Sequence, residues 1–210
     1  MSDPKPKQEA KEQGIAAAMF DYIEMFVFAI AAVILFLTFA CRLCVVSGPS
    51  MNKTLLDGEQ LLVSNLFYTP KQGDIIVFHQ TNEVYDNFNE PIVKRVIATG
   101  GQYVKIDYVG AKVYVSNDAT FEDSEVLDES TYAYFEGYGN TWKEAFDPKY
   151  QEAEIYEIPE GYLFVMGDNR NNSADSRDAY KNYVGLVDER RVLGKVLCRL
   201  TPFSKFGSVS

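Results

Sequence analysis

Tyr162-Leu163-Phe164-Val165-Met166 runs directly into Gly167-Asp168-Asn169-Arg170-Asn171-Asn172-Ser173-Ala174-Asp175-Ser176-Arg177, and this junction decides how the chain is read. The first five residues have the apolar and aromatic character of a strand, and Asp168-Asn169 suits a turn after it. The eleven-residue stretch gains meaning from two distant places. One is Ser50-Met51, just past a long apolar segment; the other is Lys94, within Ile92-Val93-Lys94-Arg95-Val96-Ile97. A serine, a lysine in an apolar strand and a polar turn able to hold both are the parts of a serine–lysine hydrolase.

Outward from this junction, short β-branched and aromatic runs recur: Gln60–Val63, Asp74–His79, Ile92–Thr99, Tyr103–Tyr108, Lys112–Ser116 and Val192–Leu200. Gly73-Asp74, Gly100-Gly101 and Val109-Gly110 punctuate them as turns. Helical periodicity is confined to the N-terminal region, apart from a short surface helix expected over Thr141–Glu152. The expectation is a mainly β protein: a coiled antiparallel β-sheet domain over residues 47–210, preceded by a single transmembrane helix.

The helix is read from composition. Met25 to Cys41 carries no charged side chain, and up to Val46 only Arg42 interrupts. Twenty-two helical residues reach roughly 33 Å, enough for a bilayer core of about 30 Å. Every face is apolar, unlike an amphipathic core helix. A cleaved secretory signal begins its apolar stretch nearer the N-terminus, and Thr38-Phe39-Ala40 is a poor small-residue approach to a lipidated Cys41. The expectation is an uncleaved anchor over 21–46 behind a disordered cytoplasmic tail, 1–20. Lys5, Lys7 and Lys11 precede the span, with Arg42 and Lys53 soon after it. This slightly favours an inside N-terminus and a large domain outside.

The formal net charge of −10 argues against nucleic acid as a partner. That charge is concentrated: residues 118–160 hold thirteen acids against Lys143 and Lys149. The plain expectation is a solvated acidic insertion, and the sharper one an acidic docking surface. Cys41, Cys44 and Cys198 have no disulfide or zinc spacing and read as small hydrophobes.

Ser50 follows Gly48-Pro49, so a turn places it where backbone N–H groups can face an oxyanion. In a strand, Lys94 shares a face with Ile92 and Val96, and Arg95 with Val93 and Ile97. One cation must sit among apolar neighbours unless the strand is an edge. A free lysine, with a pKa of about 10.4, must drop by about 2–3 units to act as a base at neutral pH, and burial supplies such a shift. Ser173 can fix the direction of the lysine lone pair, and Asp175 with Arg177 can brace the turn. The sole histidine, His79, ends a strand, and Ser50 lacks the second glycine of a nucleophile elbow, which argues against a Ser-His-Asp triad. Ser50-Met51-Asn52-Lys53 also fits a penicillin-type Ser-x-x-Lys acyl-transferase, but that family's Lys-Thr-Gly strand is missing. A catalytically inactive, membrane-anchored β-rich binding or assembly protein is the remaining alternative.

In order along the chain come an anchor, Ser50-Met51 with Thr54-Leu55, Gly58–Val63, Gly73–Phe78, Lys94–Ala98 ahead of Gly100-Gly101, the eleven-residue turn, and Gly194-Lys195-Val196. This series resembles the bacterial type I signal peptidases, Ser/Lys endopeptidases of the membrane, in their Gram-positive-like form. The resemblance implies Ser50 as nucleophile, Lys94 as general base, Ser173 as the residue orienting it, and Asp175 with Arg177 as support. Some members carry a serine hydroxyl at the place of Gly48; here backbone donors must suffice. Lys53 stands where the family usually has proline, and Glu59 where it usually has aspartate. The likeness further implies an extracytoplasmic catalytic domain and removal of signal peptides from secretory preproteins after a small residue, with small residues at −1 and −3. It implies an acyl-enzyme, neither metal nor cofactor, and the lipid bilayer and secretion translocase as further partners.

Overall fold

The computed structural model describes residues 5–80, 91–150, 152–177 and 184–209. Two compact units divide the chain at Cys41/Arg42. The first is one helix, α1 (Lys5–Ala40). Its described residues between Ala18 and Phe36 are all exposed, including Phe20, Phe26, Phe28, Ile34 and Leu35. This stretch is long and apolar enough to cross a membrane, about 28 Å at 1.5 Å per residue. Such a surface is stable in hydrocarbon, not in water.

Two boundaries expected at this end need correction. Residues 5–20 of the expected disordered tail are helical, since the pattern that makes 25–40 helical extends through Ala16-Ala17-Ala18; residues 1–4 lie outside the described set. The helix also stops at Ala40 rather than Val46, because Cys41–Val45 forms strand β1 beside β2. That pairing is tertiary, and no local propensity announces it.

The second unit holds the remaining strands: β2 (Gln60–Ser64), β3 (Ile75–His79), β4 (Pro91–Thr99), β5 (Tyr103–Asp107), β6 (Lys112–Ser116), β7 (Glu125–Val126), β8 (Glu154–Glu157), β9 (Tyr162–Met166), β10 (Val187–Asp188) and β11 (Val192–Thr201). They form a seven-stranded sheet, β1-β2-β11-β3-β4-β9-β10, and a four-stranded sheet, β7-β6-β5-β8. The registered pairings are antiparallel. The seven strands expected from sequence are present with ends shifted by at most one residue. The mainly β, antiparallel expectation holds.

Ile97, Ala98, Phe164 and Met166 of the large sheet share one buried cluster with Val104, Ile106, Val113 and Val115 of the small one. Trp142 completes that cluster and is fully buried. Here the plain expectation for 118–160 fails. The segment supplies both outer strands of the small sheet, β7 and β8, and a core tryptophan, so it is part of the fold. Apolar Trp142 and Ile158 pull it inward while its acids stay on the surface. The expected helix over Thr141–Glu152 is two 3-10 turns, Lys143–Phe146 and Pro148–Tyr150. Pro148 lacks the N–H that a continuous helix would need; Gln151 lies outside the described residues.

Candidate active site

Three segments meet at the site. The first is the loop after β1. Gly48 has φ +85°, a left-handed conformation that favours glycine. Pro49 follows, and the Asn52 N–H donates to Pro49 O (3.0 Å), closing a turn around Ser50. Met51 and Leu55 anchor the turn from below, fully buried with Val46, Leu61, Val63, Ile75, Val77 and Val196. Ser50 is left half-buried at the surface of that cluster.

The second segment is β4, which lies between β3 and β9. Lys94 pairs across from Ile76, and Arg95 from Ile75 on one side and Met166 on the other. Because β4 is central, both cations are buried, where the sequence demanded this of one. Lys94 Nζ lies 2.7 Å from Ser50 Oγ and donates to Val93 O at 3.1 Å. Burial is the largest influence on its pKa and lowers it to about 8; Asp175 and Asp168 pull upward and Arg177 downward. Arg95 instead keeps its charge beside a counter-ion, in a bidentate contact to Asp168: Nε to Oδ1 at 2.8 Å and Nη2 to Oδ2 at 2.7 Å.

The third segment is the turn after β9. Asp175 Oδ2 accepts from the Gly167 N–H (3.0 Å), and its two oxygens take Arg177 Nε and Nη2, each at 2.8 Å. Burial works against this carboxylate, but Arg177, the Gly167 N–H and Ser173 hold its pKa below the ordinary value. Arg177 also donates to Arg170 O (2.9 Å) and lies over the Trp142 ring. Asp175 and Arg177 thus form an ion pair within the turn.

Ser173 sits close to Gly167 and favours ionised Asp175. Among the described residues its buried hydroxyl makes no bond to Lys94. Gly48 donates its N–H to Asp57 Oδ1 (2.8 Å), which removes that group from any oxyanion site. The Ser50 N–H has no acceptor among the described residues. Lys53, the lysine of the penicillin-type reading, covers the Tyr134 ring at 4.4 Å instead of approaching Ser50.

The sequence places Asp168-Asn169 in the turn but gives no sign of what they bind, nor of the segment that holds them. Asn169 N–H donates to Ser50 O at 3.0 Å, tying turn to nucleophile loop. Tyr134 brackets the turn, its N–H donating to Asp168 O and its carbonyl accepting from Arg170 N–H, both at 2.8 Å. The Arg95–Asp168 pair could have been suspected from the second buried cation in β4; Tyr134 carried no signal.

A cleft of about 260 Å³ opens beside Ser50 and Lys94, lined among others by Val45, Gly48, Val77, Ile92, Val93 and Ala174. β9 pairs with β4 only from Arg95 onward. The edge of residues 91–94 on that side therefore bears no registered strand among the described residues.

The model of the family described as "Signal peptidase, peptidase S26" matches residues 19–201. A Staphylococcus aureus protein named signal peptidase IB is 33% identical over 85% of this chain and 88% of its own length. The Synechocystis protein named "Probable signal peptidase I-1" is 29% identical, covering 98% of this chain and 90% of that protein. A crystal structure of a signal peptidase I from Enterococcus faecalis V583 is 27% identical, with a TM-score of 0.40 over 61% of this chain and 97% of that one. With the family model matching residues 19–201 and the Staphylococcus aureus relative 33% identical over 85% of this chain, the chain belongs to the S26 signal peptidases.

Proposed function

We propose that Ser50 is the nucleophile and Lys94 the general base with which this membrane-bound serine peptidase removes signal peptides from preproteins. The observation that carries this is the 2.7 Å contact between Ser50 Oγ and a buried amine. No carboxylate lies within ion-pair distance of that amine among the described residues. A neutral amine has two N–H donors and one lone pair. Donation to Val93 O fixes its rotation and leaves the lone pair free to meet the Ser50 proton. Ser50 Oγ then attacks the scissile carbonyl, and the free Ser50 N–H is placed to receive the developing oxyanion. Lys94 returns the proton to the leaving amine and activates water against the acyl-enzyme. Ser173, its hydroxyl buried beside Gly167 and Asp175, orients the amine once substrate displaces the Ser50 contact; Asp175 and Arg177 keep the turn beneath it fixed, and the open backbone of Gly48 leaves the cleft mouth clear.

The substrate adds as a strand along the unpaired edge of residues 91–94, so alternate side chains face the cleft. Its walls, Val45, Val77, Ile92, Val93 and Ala174, accept small residues at −1 and −3. The helix 5–40 keeps the enzyme in the bilayer, with residues 47–210 on the extracytoplasmic side. There preproteins emerge, and the secretion translocase is a natural neighbour.

The test is incubation of wild-type, Ser50→Ala and Lys94→Ala protein with a preprotein whose signal ends Ala-x-Ala, followed by sequencing of the new N-terminus. Cleavage after the final alanine by wild type alone is expected. Cleavage by either variant at the wild-type rate would overturn the assignment, and a folded wild-type protein that cuts nothing would favour the inactive binding protein.

A further inference from the structure

Most acids between Asp118 and Glu160 face solvent, Glu136 among them, but two reach the turn that carries the site: Glu129 pairs with Arg170, and Glu136 meets the asparagines there. Its Oε2 accepts from Asn169 Nδ2 at 2.8 Å and from Asn172 Nδ2 at 3.0 Å. Asn169 also donates its second amide hydrogen to Pro49 O at 3.1 Å, and its backbone N–H to Ser50 O at 3.0 Å. One asparagine thus grips two successive carbonyls of the nucleophile loop.

We infer that Glu136 is a positioning residue for the nucleophile: through the Asn169 carboxamide it holds the Pro49–Ser50 backbone against the turn. This rests on the assignment of Ser50 above. Asn169 Oδ1 is buried without a hydrogen-bond partner among the described residues. That oxygen therefore does nothing to fix the amide; the two acceptors facing Nδ2 do. A half-turn of the carboxamide would set oxygen against the Pro49 carbonyl and the Glu136 carboxylate, acceptor against acceptor. A charged acceptor makes the discrimination stronger than a neutral one, and the two asparagine amides favour the ionised form of Glu136. Glu136 is itself held in place, two residues beyond Tyr134, whose backbone bonds to Asp168 and Arg170 lock the strip to the turn. An acid serving only solubility would not gather two side-chain amides on one oxygen. The contact also gives residues 118–160 a purpose beyond the small sheet: they brace the nucleophile loop from the far side of the turn.

The test compares full-length wild-type, Glu136→Ala, Glu136→Gln, Asp128→Ala and Ser50→Ala proteins on an internally quenched peptide ending its signal in Ala-x-Ala. Asp128 lies in the same segment but bonds Ser130, away from the turn. Glu136→Ala should lower kcat about tenfold with KM essentially unchanged and a melting temperature within about 2 °C of wild type. Glu136→Gln, which keeps an acceptor of the same shape, should recover much of that loss, and Asp128→Ala should match wild type. The inference is overturned by unchanged kcat in Glu136→Ala, by a loss confined to KM, or by a kcat loss that only follows a fall in melting temperature. Cleavage by Ser50→Ala would instead overturn the nucleophile assignment, so the two failures are distinguishable.

Discussion

Lys94 and Arg95 are neighbours on β4 and equally buried, each 3% exposed, yet only Arg95 has a carboxylate in contact. Asp168 pairs with the guanidinium bidentately, while Lys94 has a serine hydroxyl and a carbonyl. Two adjacent cations are thereby given opposite fates: one stays charged and structural, and the other is pressed toward its neutral form.

The pH dependence follows from that difference. With a pKa of about 8, the fraction of neutral Lys94 rises about tenfold per unit below pH 8, and cleavage should rise with it before levelling. Stability moves the same way. Between about 8 and the ordinary 10.5 the unfolded chain holds the proton more tightly than the folded one, so the fold gains stability as pH rises through that window. The full difference is about 3 kcal/mol. Lys94→Met should abolish cleavage, flatten thermal stability between pH 8 and 10.5, and unfold no more readily than wild type at pH 7. A Lys94→Met protein that kept the wild-type rise in melting temperature over that range would show that another group titrates there.

Arg95 should answer to the opposite experiment. Asp168 is fully buried and also accepts from Thr54 Oγ1 at 2.5 Å, and Arg95 lies over the Tyr132 ring. Asp168→Ala strands a guanidinium without its counter-ion, which costs roughly 3–5 kcal/mol. The double variant Arg95→Met/Asp168→Leu should regain most of it. Urea unfolding measures both, and a single-variant loss below about 1 kcal/mol would mean that water reaches the pair.

The core strands were legible because each carries its own signal: β-branched or aromatic residues between glycine, proline and aspartate. Lys94 was legible for a related reason, as a cation interrupting an apolar run. What escaped the sequence lacked a local signature. β1 is a strand only because β2 lies beside it; β7 and β10 are two residues long; Tyr134 joins the site through backbone bonds open to any residue type. The acidic composition of 118–160 concealed Trp142, since thirteen acids outweigh one tryptophan in any average. Gly48 illustrates the opposite limit. Its identity suggested open backbone near an oxyanion, but its N–H is committed to Asp57, nine residues on.

Gly167 should tolerate no side chain. A Cβ there would fall on Ser173 Oγ and stand 2.5 Å from Ser50 O. The serine hydroxyl can rotate away, but Ser50 O is held by the Asn169 N–H. Gly167→Ala must therefore displace the nucleophile backbone or the turn. A shift of about 1 Å in a reacting group lowers rates on the order of a hundredfold. The expected result is a folded protein with kcat reduced at least tenfold, read by peptide cleavage beside a melting curve. Wild-type kcat would mean that the loop yields without moving Ser50 Oγ.

Trp142 tests whether the acidic segment is core or covering. It is fully buried, meets Tyr108 and Phe135 edge-on at 5.5 and 5.3 Å, and lies beneath the Arg177 guanidinium at 4.8 Å. The next residue is fastened to the turn as well, Lys143 N–H donating to Asn171 Oδ1 and Nζ to Asn171 O. Trp142→Ala removes a large buried ring and should cost roughly 3–5 kcal/mol. Because the ring backs Arg177, and Arg177 holds Asp175, kcat should also fall at temperatures where the variant remains folded. Glu122→Gln, on the exposed part of the same segment, should change neither quantity. Were both variants to melt with wild type, residues 118–160 would be covering after all, and the turn would owe its shape to its own hydrogen bonds.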